Sequence, residues 1–481
     1  MKTPILGSAY VARSINAADN RMVNLFPEAI PEGGKEPGFL NRAPGLEFLQ
    51  TVGTGPIRAL WAHQTNGSDF YVVSGNEVYK LTSLTATPQL LGTLTTSSGP
   101  VSISDNGFQI FFATNPDGFI YNELTNVFSQ ITDPLFAGAV TVTFLSLYFL
   151  YNEPNSGRIF SSEILDGTVV EDFASAEGAP DGVVGIMADH QELWVFGTDT
   201  TEVWYYTGAA PPIFPFQRIQ GAFLETGCAA AFSIAKLDNS LFWLGTDARG
   251  QGIVYRANGY TGVRVSTHAI EYAIAQYGNI SDAIAYTYQQ EGHAFYVLTF
   301  PTGNATWVYD VSTQVWHERA GFDNGEFMRH RSNCQCNFGG NIIVGDFENG
   351  NIYRFDLDVY ADNGGIQKWL RSWRALPTGQ NNLKRTAHHS LQLDCETGVG
   401  LNDGQGSDPQ VMLRWSDDGG HTWSNEHWSP IGKIGAYGHR TFWRRLGMTL
   451  KLRDRVYELS GTDPNKIAIM GAELILSPTN A

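Results

Sequence analysis

The sequence predicts an all-β protein, a β-propeller of about seven blades followed by a C-terminal β-sandwich. Three observations carry that expectation. A hydrophobic run, a polar or glycine turn and a second run with an aromatic recur through residues 46–365, with starts roughly 40 to 50 residues apart, the length of one four-stranded blade. Of the 481 residues 52 are glycine, which fits many tight turns, and helical patterning is confined to one short stretch. Charge also changes sign along the chain. Residues 1–365 hold 17 Lys and Arg against 37 Asp and Glu, net -20, whereas 366–481 hold 14 against 11, net +3, as two domains with different surfaces would.

Composition bounds the function. A chain of 481 residues exceeds what one core usually holds, so at least two domains are expected. Hydrophobic content of 42%, with 12% aromatic and 16% charged, describes a folded protein. A net charge of -17 argues against wrapping nucleic acid, because phosphate binding draws on an excess of cations. Four cysteines in so long a chain make no disulfide framework. The start M-K-T-P-I-L-G-S lacks the apolar core of a secretory signal, and the longest apolar stretch, 139–151, is too short to span a bilayer. Assembly in a reducing cytoplasm without membrane insertion is therefore expected.

Residues 1–45 hold few strong strands and many turn formers, Glu32-Gly33-Gly34 and Pro44-Gly45 among them. They read as an extended N-terminal arm over other structure, with a plain loop favoured over a partner-binding segment. The propeller is expected over 46–365, its hairpins at 70–73 with 77–81, 109–113 with 119–121, 145–150 with 158–160, 193–196 with 202–206, 241–244 with 253–255, 294–300 with 306–309, and 341–357. In the last, Asn349-Gly350 favours the positive φ angles of a tight type I′ turn. A series of hairpins left open exposes a long edge, whereas a ring packs each sheet against its neighbour; a sandwich pair or an open solenoid is the competing layout. One helix is expected at 269–276, as an insertion between blades. The linker is 358–365, and 366–481 form the sandwich, with strands at 390–394, 411–415, 441–451 and 466–476 and a mobile surface loop at 396–410.

Few residues suggest chemistry. Ser416, Asp418, Gly420, Thr422 and Trp423 match the Asp box S-x-D-x-G-x-T-W of sialidases, a turn closed by its own side chains that marks a β-hairpin remote from catalysis. A sialidase also needs arginines converging on a carboxylate, a nucleophile and its base, and one turn motif does not assemble that set. Cys334 and Cys336, near His330, point to one face of a strand and read as reduced core cysteines, short of the ligands a zinc site needs. His388-His389 and Asp417-Asp418 lack partners at recognisable spacing. No phosphate loop, zincin motif or nucleophile elbow occurs, so no catalytic residue, metal or cofactor is expected. The basic stretch 439–455 interleaves Arg440, Arg444, Arg445, Lys451, Arg453 and Arg455 with apolar residues. It is read as a candidate partner interface for an acidic surface or nucleic acid, against a solvated strand face.

Arg444-Arg445-Leu446-Gly447, Arg453-Asp454-Arg455-Val456-Tyr457-Glu458-Leu459, Thr462-Asp463-Pro464 and Ile469-Met470-Gly471-Ala472 resemble the end of the packaged-DNA stabilisation proteins of short-tailed bacteriophages, also called tail accessory factors or tail hub proteins. Val23-Asn24-Leu25-Phe26-Pro27-Glu28, Gly38-Phe39-Leu40 and Ala43-Pro44-Gly45-Leu46 agree at the other end; the middle matches by its repeating β character. The resemblance implies a virion tail protein that acts by assembly. Its expected state is a ring of six copies beneath the portal and its adaptor ring, closing the channel after packaging. Tail fibres or spikes and a needle or plug are the other implied partners, with genomic DNA sliding through the lumen without sequence-specific binding. The alternative is a carbohydrate-active propeller, a glycosidase or glycan-binding adhesin, suggested by the abundant Trp and Tyr and the Asp box.

Overall fold

The computed structural model describes residues 1–481 except 64–68, 177, 180, 210–212, 248–249, 378, 381–383 and 480–481. The expected hairpins lie at the centre of seven antiparallel sheets, which span 57–93, 102–130, 142–175, 183–224, 227–264, 284–318 and 332–356 and are numbered here as blades 1 to 7. Their middle strands are legible because both faces are covered. Phe70–Ser74, Gln109–Ala113 and Tyr148–Asn152 are buried at every position, and a strand packed on both sides reads as a continuous apolar run.

Neighbouring blades share apolar clusters, and these close a circle. Tyr71 and Val73 meet Ile110 and Phe112; Phe111 meets Phe149; Leu150 meets Val195; Phe196 meets Trp243; Phe242 meets Tyr296; Phe295 meets Phe355. The last cluster joins blade 7 to blade 1, with Ile343 and Phe338 against Ile57 and Phe70. Burying one such side chain is worth about 1.5–3 kcal/mol, so the circular arrangement leaves no blade with an uncovered apolar face.

The ring is fastened by the N-terminal chain. Gly45–Thr51 supplies the fourth strand of blade 7, antiparallel to Asn351–Asp356, with Leu46 opposite Phe355. Residues 1–45, expected as an extended arm, are woven into sheets instead. Met22–Val23 lies between Val315–Glu318, the outer strand of blade 6, and Trp369–Arg374, the first strand after the propeller. One nine-stranded sheet thus runs from blade 6 through this strand into the sandwich. Leu25–Ala29 and Gly38–Arg42 enter the opposite sandwich sheet beside Ala468–Pro478.

Three buried side chains hold this seam. Asn24, at φ +52, donates to the carbonyls of Ala320 at 2.8 Å and Lys368 at 2.7 Å and accepts from the Ala320 amide at 3.0 Å. Arg42 donates to Gln367 Oε1 and to the carbonyls of Tyr360, Gln367, Asp463 and Asn465. Arg371 reaches the carbonyls of Ile5, Gly7 and Arg21. Each guanidinium spreads its charge over carbonyl oxygens from segments hundreds of residues apart, which secures geometry that apolar packing alone leaves loose.

Several expectations need correction. The turn before Asn351–Asp356 spans four residues, closed by Asp346 accepting from the Glu348 amide, and neither Asn349 nor Gly350 has positive φ. Gly350 is glycine for another reason, since a Cβ there would come within 2.7 Å of the Gly53 carbonyl. The type I′ geometry occurs one strand earlier, at Gly339-Gly340 with φ +56 and +76. The run 145–150 contains such a turn, Ser146-Leu147, that separates Val142–Leu145 from Tyr148–Asn152. The strand expected at 441–451 is Thr441–Arg444, stopped by Arg445 at φ +60 and Gly447 at φ +75. The loop at 396–410 is folded back on itself, its Leu401 amide donating to the Gly406 carbonyl. The helix, His268–Ile274, is capped by Thr267 and packs Ile270 and Ile274 between blades 5 and 6.

Asn24→Ala strands three buried backbone partners and forces positive φ on alanine, and should lower the unfolding free energy by about 3 kcal/mol or more. Asn24→Gly keeps the backbone geometry and should cost about 1 kcal/mol less. Urea denaturation of the three proteins checks both values; a loss under 1 kcal/mol for the alanine variant would contradict the assigned role.

Candidate interface

The sandwich faces two sheets across Trp369, Trp373, Leu391, Leu413, Trp443, Tyr457, Leu459 and Leu474. Thr441–Arg444 and His427–Pro430 end their respective sheets on the side away from the propeller. Along Thr441–Arg444 alternation puts Trp443 in the core and Phe442 and Arg444 outside, the guanidinium lying 4.5 Å from the Phe442 ring centroid.

The irregular chain that follows is tied down from within. Arg455, grouped in sequence with the surface cations, is buried and belongs to this support. It makes a bidentate pair with Asp417 at 2.7 and 2.8 Å and donates to the carbonyls of Leu446 and Met448. Thr449 exchanges hydrogen bonds with Thr386. The loop so held displays Met448, Leu450 and Leu452 to solvent beside Arg445, Lys451 and Arg453. Arg440 is exposed as well, bonded to Gln392 Oε1. Five of the six basic residues therefore share an exposed edge. The sequence shows these apolar residues interleaved with the cations, but not their exposure, because alternation ends at Arg445 and the exposure follows from the irregular backbone.

The Asp box closes the turn after Gln410–Ser416. Asp418 accepts from Ser416 Oγ at 2.7 Å, from the Thr422 amide at 2.8 Å and from Thr422 Oγ1 at 2.6 Å; these bonds hold its carboxyl down to about 2. Trp423 stacks on Arg414, whose guanidinium is 4.8 Å from the ring centroid. A Cβ at Gly420 would strike the Asp19 carboxylate at 2.5 Å, so the turn is pressed against the N-terminal segment. Burial, with Arg455 nearby, pushes His388 down to about 3, and the neutral ring bonds Tyr457 and Thr386 while His389 bonds Ser477.

Cys334 and Cys336 lie on the inner strand of blade 7, where burial raises both thiols. No cluster of three His, Cys, Asp or Glu able to hold a metal occurs among the described residues. At one mouth of the propeller axis a cavity of about 460 Å³ is lined by Pro56, Pro100, Phe232, Pro301 and Phe347. Asp282, its one carboxylate among the described residues, is bonded to Thr302. No described helix is long and apolar enough to cross a membrane.

Comparison with known proteins gives two adjoining matches. Residues 1–360 match the β-propeller model of bacteriophage P22 Gp10, and residues 369–476 match its β-sandwich model. The chain belongs to the bacteriophage P22 Gp10 family. Members of this family are structural components of the phage tail, and the chain is a tail protein of a bacteriophage virion. The family models divide the chain after residue 360, near where the last blade ends and the sandwich sheet begins. A search of curated proteins found no match. Similar solved structures include virginiamycin B lyase from Staphylococcus aureus, at 14% identity and TM-score 0.44 over 64% of this chain and 97% of that one. The computationally designed Ika8 protein is similar at 12% identity and TM-score 0.39, over 65% and 99%. U3-55K is similar at 9% identity and TM-score 0.42, also over 65% and 99%.

The division of the basic residues is testable. Asp417→Ala leaves Arg455 buried without its counter-ion and should destabilise the protein by about 3–5 kcal/mol. Arg444→Ala and Lys451→Ala should each stay within about 0.5 kcal/mol. Thermal and urea denaturation measure these differences, and equal effects at all three positions would contradict the assignment.

Proposed function

We propose that this tail protein is a hub that closes the DNA channel after packaging. In this reading copies form a ring of six below the portal and its adaptor ring, stabilise the packaged DNA, and anchor tail fibres or spikes and a needle or plug. It acts by assembly rather than catalysis. The observation that carries the reading is the continuous nine-stranded sheet from blade 6 into the sandwich. A part that holds back pressurised DNA on one side and carries appendages on another must transmit force between its domains. Backbone hydrogen bonds along a shared sheet do this with little give, unlike a flexible linker.

The charge distribution supports the same reading. An acidic propeller surface facing the lumen repels phosphate and lets DNA slide, while the near-neutral sandwich docks on neighbours. Propeller folds also serve glycan chemistry, but among the described residues the axial cavity holds one carboxylate, Asp282, where a glycosidase uses a pair.

Phage particles assembled without this chain test the proposal. They should fill with DNA, lose it on standing and carry no fibres, and supplying the chain in trans should restore infectivity. Particles that retain their DNA and infect normally without it would overturn the reading.

A further inference from the structure

We propose that copies of this chain associate head to tail, the basic, apolar edge of one sandwich seating on an acidic, apolar rim formed by blades 2 and 3 of the next. The proposal deepens the ring reading above and rests on it.

The two surfaces lie at opposite poles. The sandwich is joined to blade 6, and blades 2 and 3 are each three places from it around the ring, the greatest separation seven blades allow. The strands Thr441–Arg444 and His427–Pro430 are the last of their sheets on the far side of the sandwich. One chain therefore cannot bring its edge to its own rim.

The surfaces are also chemical complements. Residues 440–453 hold five cations and no carboxylate, with Phe442, Met448, Leu450 and Leu452 exposed among them. Residues 102–175 hold nine carboxylates and a single cation, Arg158, which is engaged by Glu153 at 2.6 Å; of the nine, Glu123 is paired with Lys80 and His63 of blade 1. Leu124, Val127, Ile164 and Phe173 are exposed on that rim. Glu163 is exposed and Glu171 partly exposed, and neither enters an ion pair among the described residues.

The outer edges of the blades differ as well. Blade 6 is extended by Met22–Val23, and blade 7, completed by Gly45–Thr51, is extended by Ala361–Asp362. The outer strands of blades 2 and 3, Val127–Gln130 and Asp166–Ser175, like those of blades 1, 4 and 5, carry no further strand among the described residues. Free edges with exposed apolar residues invite a partner, and apolar residues on both surfaces favour a protein over nucleic acid. A contact between unlike surfaces leaves both open on every copy, and so builds a ring when its rotation closes.

Sedimentation velocity of the full chain over a concentration series tests this with two charge reversals, R444E/K451E on the edge and E163K/E171K on the rim. Wild-type chains should associate, less so as salt is raised. Each reversal alone should weaken association by about tenfold or more. An equimolar mixture of the two variants should recover it, because every contact between unlike copies is again attractive. Unchanged circular dichroism shows that the variants fold. Wild-type chains that stay monomeric throughout, variants that associate like wild type, or a mixture that stays apart would each overturn the proposal. If the edge instead binds duplex DNA while the chain stays monomeric, the partner class assigned here is wrong. Incorporation into tails separates the two readings: variants that fail to self-associate as wild type does yet enter tails normally sink only this contact.

Discussion

A ring of sheets must be fastened where its last blade meets its first, and here the fastener comes from the opposite end of the sequence. Gly45–Thr51 completes blade 7 by pairing with Asn351–Asp356, so neither the ring nor its last apolar cluster can close until the chain has returned to its beginning. The same N-terminal segment, some twenty residues earlier, bridges blade 6 and the sandwich through Met22–Val23. Closure of the propeller and attachment of the sandwich therefore depend on one stretch of chain. Such long-range pairings add loop-closure entropy before they contribute contacts, so they form late and cooperatively.

The seam is polar where it has to be specific. Asn24, Arg42 and Arg371 are fully buried, and their partners are mainly backbone carbonyls and amides. Apolar packing across the seam would tolerate a shift of register. A side chain that satisfies several carbonyls in fixed directions does not, and losing it leaves those groups buried without partners. Rigidity between the two domains follows from that satisfaction, as the proposed hub role requires.

The legible part of the fold was what both faces of a sheet make visible. Middle strands such as Phe70–Ser74 and Leu193 to Phe196 are covered on each side and stand out as apolar runs, so the blade count and the repeat followed from them. Inner and outer strands mix exposed and buried positions, and Gln89–Thr93 gives no such signal. The role of residues 1–45 was hidden because a two-residue strand such as Met22–Val23 has no periodicity; its partners are almost 300 residues or more away. At the candidate interface the cations were visible in sequence. The burial of Arg455 was not, since its bidentate partner Asp417 is remote in sequence and the alternation that would have placed it ends at Arg445.

The most direct test of the central claim is hydrogen exchange of the backbone amides in the N-terminal segment. The Asn24 amide, bonded to the Glu318 carbonyl at 3.0 Å, and the amides of Gly45–Thr51 that pair with blade 7 should exchange slowly. They should open together with Val315–Glu318 and Trp369–Arg374, as one cooperative unit. Exchange of these amides in seconds, while the blades and the sandwich stay protected, would show that the ring and the domain joint are held by something else.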